Sequence, residues 1–171
     1  MSGSLFLSIR ALHILLAALW LGAVFLLSMF VMPAVREAGP TGSHFLATLH
    51  RRKLGAFMAT IGVLTVLSGL WLYWVFTAGL SEGVMLSHGG MAFGIGGLLG
   101  LLAAVLGGGM IGRGFARIIA MSEQTAALPE AERSAHQQTL AALRTRTSMA
   151  SKCVLVLMIA ALLLMAVGHY V

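Results

Sequence analysis

Long, uncharged apolar stretches recur along this chain, and they constrain its fold more than any other feature. Four of them, at about 11–35, 54–78, 90–112 and 150–170, each hold some twenty predominantly apolar residues. A helix rising about 1.5 Å per residue needs roughly that number to cross ~30 Å of hydrocarbon, where an open sheet edge or irregular backbone would leave polar groups unsatisfied. The composition agrees: 59% of the 171 residues are hydrophobic, 9% are charged, and the mean hydropathy is +0.97. Little chain is left for a soluble domain. The sequence therefore predicts an all-α integral membrane protein. The expected fold is an up-and-down four-transmembrane-helix bundle forming one domain, 1–171, with helices at about 5–36, 44–78, 87–121 and 129–170. The first segment is read as a retained helix rather than a signal peptide, because its apolar run is long, no convincing small-residue cleavage site follows it, and Arg36 does.

Charge sets the expected orientation. Ten of the eleven lysines and arginines, all but Arg10, lie in or beside the first and third connections. By the positive-inside tendency those connections face the cytoplasm, so both termini and the short connection around 81–83 face the periplasm of a bacterial inner membrane. The pI near 10.8 does not imply a nucleic-acid partner, since no fold signature accompanies it and the cations sit at helix ends, where the lipid bilayer's anionic headgroups are the natural partner. Cys153 is the single cysteine, which excludes an intrachain disulfide and a thiolate metal cluster.

Proline and glycine supply the punctuation. Pro33 and the GPTG run at 39–42 predict the end of the first helix and a turn. The second helix is expected to begin before the bilayer, near 43–50, and to finish around Trp71, Tyr73 and Trp74, aromatics suited to an interface. Glycines recur near one face of the second helix (Gly55, Gly62, Gly69) and of the third (Gly90, Gly94, Gly97). Such faces serve either close helix packing or a smooth wall for a flat cofactor. The polar stretch 122–150 opens a helix at Pro129, with Glu130 and Glu132 placed favourably in its first turn. The fourth helix is thus expected to carry a long cytoplasmic extension before it crosses, with a break at 145–151 as the alternative.

The six histidines divide by this topology. His44, His50 and His136 fall on the cytoplasmic side, whereas His13, His88 and His169 sit at the outer ends of helices one, three and four. His13 is 23 residues before Arg36, His88 is 25 before Arg113, and His169 is 23 after Arg146, so the three imidazoles are expected to share one layer. The chain has no aspartate and none of its five glutamates lies in an apolar span, which leaves histidine as the available intramembrane donor. Helices one and three lie on the diagonal of an up-and-down bundle, so His13 and His88 are candidate axial ligands of a haem b, with His169 a third or alternative ligand. Arg10 is placed to meet a haem propionate, Ser87 to donate a hydrogen bond, and Trp20, seven residues after His13, to pack below the ring. Copper is the alternative cofactor, because Met85, Met91 and Met165 lie within a turn of His88 or His169, and thioether with imidazole suits Cu(I). The bland reading of all three is an interfacial polar residue bonded to backbone or headgroup.

The first helix, with Leu12-His13, Trp20 and Gly22 in the pattern L-H-x6-W-x-G, resembles the opening helix of the CopD-like copper-resistance proteins and related bacterial membrane proteins. It is also similar to the first helix of HemJ-type protoporphyrinogen oxidases. The likeness is strong over about 25 residues and loose over the four-helix layout. It implies a four-helix membrane fold, with His13 at the family histidine and Trp20 and Gly22 at its tryptophan and glycine. For the HemJ-type proteins it further implies a histidine associated with haem. Three functions follow as expectations. The first is a b-type haem protein carrying electrons near the periplasmic face, from a quinol or periplasmic redox protein. The second is a CopD-like copper-binding or copper-uptake protein. The third is a non-catalytic subunit of a larger membrane complex.

Overall fold

The computed structural model describes residues 3–168 and Tyr170, and no strand occurs among them. The first rod, Gly3–Glu37, is continuous: α1 (Gly3–Leu26) passes through a π-helical segment (Leu27–Val31) into α2 (Met32–Glu37). After α3 (Gly39–Arg51) come α4 (Leu54–Phe76) and the single turn α5 (Glu82–Met85). The third rod joins α6 (His88–Leu106) through a second π-helical segment (Gly107–Gly112) to α7 (Arg113–Ala127), and α8 (Glu130–Val167) is the fourth. Four of these helices are long and apolar enough to cross a membrane.

Side-chain register shows how the rods pack. His13 of α1 abuts Gly69 of α4, and Trp20, two turns on, abuts Gly62, so the two helices run antiparallel with matched seven-residue steps. Tyr73 of α4 reaches Gly90 and Gly94 of α6, while Gly96 of α6 packs on Ala161, Leu164 and Met165 of α8. α8 also touches α1, which places α1 and α6 on one diagonal and α4 and α8 on the other. Two apolar clusters hold the assembly. One lies within the spans, around Leu16, Trp20, Val24, Ile61, Ala103, Val154, Leu155 and Met158. The other, formed by Met32, Val35, Leu46, Ile118 and Leu140, ties α2, α3, α7 and α8 together at the α3 end. Large apolar side chains such as Leu67, Leu98 and Val156 stand fully outward. In water such a surface would be an association hazard, but hydrocarbon solvates it.

Three boundaries differ from the sequence reading. Pro33 does not end the first helix. The π-helical turn just before it, closed by the Met32 amide bonding the Leu27 carbonyl, absorbs the ring that a regular α-helix would reject, and α2 continues to Glu37. Of the GPTG run only Gly39 takes part in the turn: the chain reverses at Ala38 and Gly39, whose φ is +56°, and the rest of the run lies in α3. Gly42 lies inside α3, buried so closely on Val35 that a Cβ would overlap the Val35 carbonyl. Finally, the second helix expected at 44–78 is two helices, parted where Lys53 adopts φ +60° and its amide bonds the His50 carbonyl. The fourth helix is unbroken through 145–151.

Candidate functional site

His13 is half-buried where α1 crosses α4, and its neighbours there define its chemistry. Its Nδ1 lies 3.0 Å from the Thr65 carbonyl oxygen and 3.0 Å from Ser68 Oγ. A carbonyl can only accept, so Nδ1 carries a proton and donates. The Ser68 hydroxyl hydrogen is directed back to the Leu64 carbonyl at 2.7 Å, which turns the oxygen lone pair toward His13. These bonds select the tautomer whose lone pair is on Nε2, and Nε2 has no hydrogen-bond partner among the described residues. An imidazole held through Nδ1–H to a backbone carbonyl, with Nε2 available, is the arrangement that orients histidine as a metal ligand.

Glycine lets the ring sit there. A Cβ at Gly69 would lie 2.9 Å from His13 Cε1, and one at Gly62 would lie 3.2 Å from the Trp20 ring. The α4 glycines are thus sockets for two α1 side chains spaced seven residues apart. On α6, Gly94 makes room for the Tyr73 hydroxyl, which donates to the Gly90 carbonyl at 3.3 Å. Gly55 and Gly97 face open space. Close packing accounts for Gly62, Gly69 and Gly94, and the room they make is occupied by side chains.

The other candidates are placed as follows. His88 is the first residue of α6 and is exposed. Tyr73, one turn beyond Gly69 on α4, bonds the Gly90 carbonyl, and His88 lies two residues before Gly90 at the exposed start of α6. Ser87 caps α6: its oxygen accepts from the Gly90 amide at 3.0 Å, and its hydrogen goes to the Val84 carbonyl at 2.6 Å, so that donor is already committed. Arg10 is exposed one turn before His13, and Trp20 is buried in the span core. His169 lies outside the described residues. His44 and His50 are exposed on α3, at the far end of the molecule, and His136 lies on α8 in its polar half.

Among the described residues, the ligand position that is prepared for a haem or metal is that of His13. His13 has the anchoring and the spare lone pair, but among the described residues no three His, Cys, Asp or Glu side chains are grouped to hold a metal ion. Sequence reading missed Thr65 and Ser68, which orient that ligand, and named Gly69 only as part of a glycine face. Two hydroxyls and a glycine within five residues of an otherwise apolar span were the available signal. Compared with protein-family models, curated proteins and solved structures, the chain has no significant match.

Proposed function

We propose that this protein is an inner-membrane, up-and-down four-helix bundle that binds a b-type haem through His13 and transfers electrons near the periplasmic face. In this reading both termini and α5 are periplasmic, and α3 and the polar half of α8 are cytoplasmic, as the arginine and lysine distribution favours. The observation that carries the proposal is the His13 imidazole, fixed through Nδ1 to Thr65 and Ser68 with Nε2 left without a partner. When bound, the haem would supply one-electron redox chemistry. The chain's part is to hold and tune it. The bond to Thr65 would fix the tautomer and ring orientation that present Nε2, Arg10 would offer positive charge to a propionate, and buried Trp20 would close the packing on the membrane side.

Protein purified from haem-replete cells is expected to show a Soret band and split visible bands on reduction. His13→Ala should remove them, while His44→Ala and His50→Ala, at the other pole, should not. His88→Ala asks whether that exposed residue at the start of α6 supplies a second ligand: loss of the bands adds it to the site, and their retention leaves His13 as the ligand. A colourless wild-type protein would end the haem reading, and stoichiometric copper in that protein would transfer the assignment to a CopD-like copper binder.

A further inference from the structure

At the opposite end of the molecule, four elements bring a group of hydrogen-bond donors together with no acid to receive them. Arg144 of α8 is half-buried, and its Nη2 donates to Ser43 Oγ of α3 at 2.9 Å and to Ser122 Oγ of α7 at 3.4 Å. The contact spans 101 residues of sequence, and the Met32, Val35, Leu46, Ile118 and Leu140 cluster fixes the same four elements. A guanidinium has five N–H donors. Those on Nε and Nη1 have no partner among the described residues, and neither is sealed from the surroundings. The Ser122 hydroxyl accepts from Arg144 and has no recorded acceptor for its own hydrogen, whereas Ser43 directs its hydrogen to the Gly39 carbonyl at 3.3 Å.

The charge around Arg144 is also one-sided. Arg36 of α2 is close enough for its charge to repel that of Arg144. Glu37 and Glu123 are exposed chain neighbours of the site, yet the ion pair found among the described residues is Arg133 with Glu130, elsewhere on α8. Arg36 also lines, with Pro33 and Glu37, an open groove of about 350 Å³. An arginine held by two serine hydroxyls, with a second positive charge in range and no carboxylate paired to it among the described residues, is favourably placed for an anion. A planar guanidinium fork beside a hydroxyl donor matches tetrahedral phosphate oxygens.

We propose that Arg36, Arg144 and Ser122, with Ser43 orienting Arg144, form a binding site for a phosphate group, carried either by an anionic lipid headgroup or by a soluble phosphate. The site is independent of the haem reading, since it lies at the α3 end and shares no residue with His13. Its position just beyond the Lys152 and Arg113 end of the apolar spans suits a headgroup, and binding there would clamp α2, α3, α7 and α8 together.

The test is thermal unfolding of the full chain in neutral detergent, followed by tryptophan fluorescence. Phosphatidylglycerol or phosphatidylcholine is added in mixed micelles, or inorganic phosphate at constant ionic strength. Phosphatidylglycerol should raise the midpoint saturably and phosphatidylcholine should not. A matching saturable response to inorganic phosphate assigns the site to a soluble ligand, and its absence assigns the site to lipid. Arg36→Gln or Arg144→Gln should weaken the apparent affinity about tenfold, the loss expected of one charge-assisted contact, and Ser122→Ala severalfold. Arg51→Gln with Arg52→Gln, two exposed cations nearby, should leave it unchanged. If Arg144→Gln fails to fold, Arg36→Gln and Ser122→Ala, which leave the apolar cluster intact, decide the matter. No saturable response to either anion, or equal weakening by the Arg51 and Arg52 substitutions, would overturn the site.

Discussion

A missing methyl group decides how α1 and α4 meet. His13 and Trp20 enter α4 at Gly69 and Gly62, where an added Cβ would come within 2.9 Å and 3.2 Å of their rings. Neither ring can yield freely, since Trp20 is buried in the span core and His13 is bonded to Thr65 and Ser68. Gly69→Ala and Gly62→Ala should therefore each cost about 1–3 kcal/mol, the usual penalty of overpacking. Gly55→Ala meets nothing within 4 Å and should be neutral or slightly stabilising, as alanine is the better helix former. Unfolding curves of the three variants in detergent check this order, and Gly69→Ala behaving like Gly55→Ala would remove the socket. His13 itself was legible in the sequence as an ionisable group inside an apolar run. Its orientation was not, because the carbonyl that fixes it belongs to another helix, 52 residues away.

At the scale of elements, the apolar spans were readable from hydropathy and the start of α8 from Pro129, while the joint between α3 and α4 was not. Proline and glycine are the punctuation a sequence shows, yet Pro33 lies within a continuous rod and Gly42 within α3. The break that parts α3 from α4 falls instead in Arg51-Arg52-Lys53, which carries no breaking residue at all. There Lys53 is forced to φ +60°, a conformation that costs an L-residue with a side chain roughly 1–2 kcal/mol and costs glycine little. Lys53 is exposed and its side chain makes no hydrogen bond or ion pair among the described residues, so removing it sacrifices neither. Lys53→Gly is expected to stabilise the protein by up to about 1 kcal/mol, once glycine's greater freedom in the unfolded chain is subtracted. A midpoint that falls on this substitution would show that the α3–α4 joint is not held in the left-handed conformation.

Across the whole molecule, the α3 end carries ten of the eleven lysines and arginines together with α3, α7 and the polar half of α8, and the other end carries Arg10, His13, α5 and His88. That polarity was legible from charge alone, and by the positive-inside tendency the proposed orientation puts the α3 end in the cytoplasm. Cysteine labelling tests the assignment, and the fold dictates where the reporters go. Cys153 is exposed and must first be replaced by serine. Gly83, in α5, is exposed and an added side chain there meets nothing within 4 Å, so Gly83→Cys is a safe reporter. Gly42 would be the natural choice at the other end from sequence, but its Cβ would strike the Val35 carbonyl and disrupt the junction being tested. Thr41, its exposed neighbour in α3, avoids that. In intact cells whose outer membrane has been made permeable, an impermeant thiol reagent should modify Gly83→Cys at once and Thr41→Cys only after the inner membrane is opened. The reverse pattern would place His13 and Arg10 on the cytoplasmic side and the arginine-rich phosphate site on the periplasmic leaflet. The helix contacts would stand, but the periplasmic electron donor proposed for His13 would be ruled out.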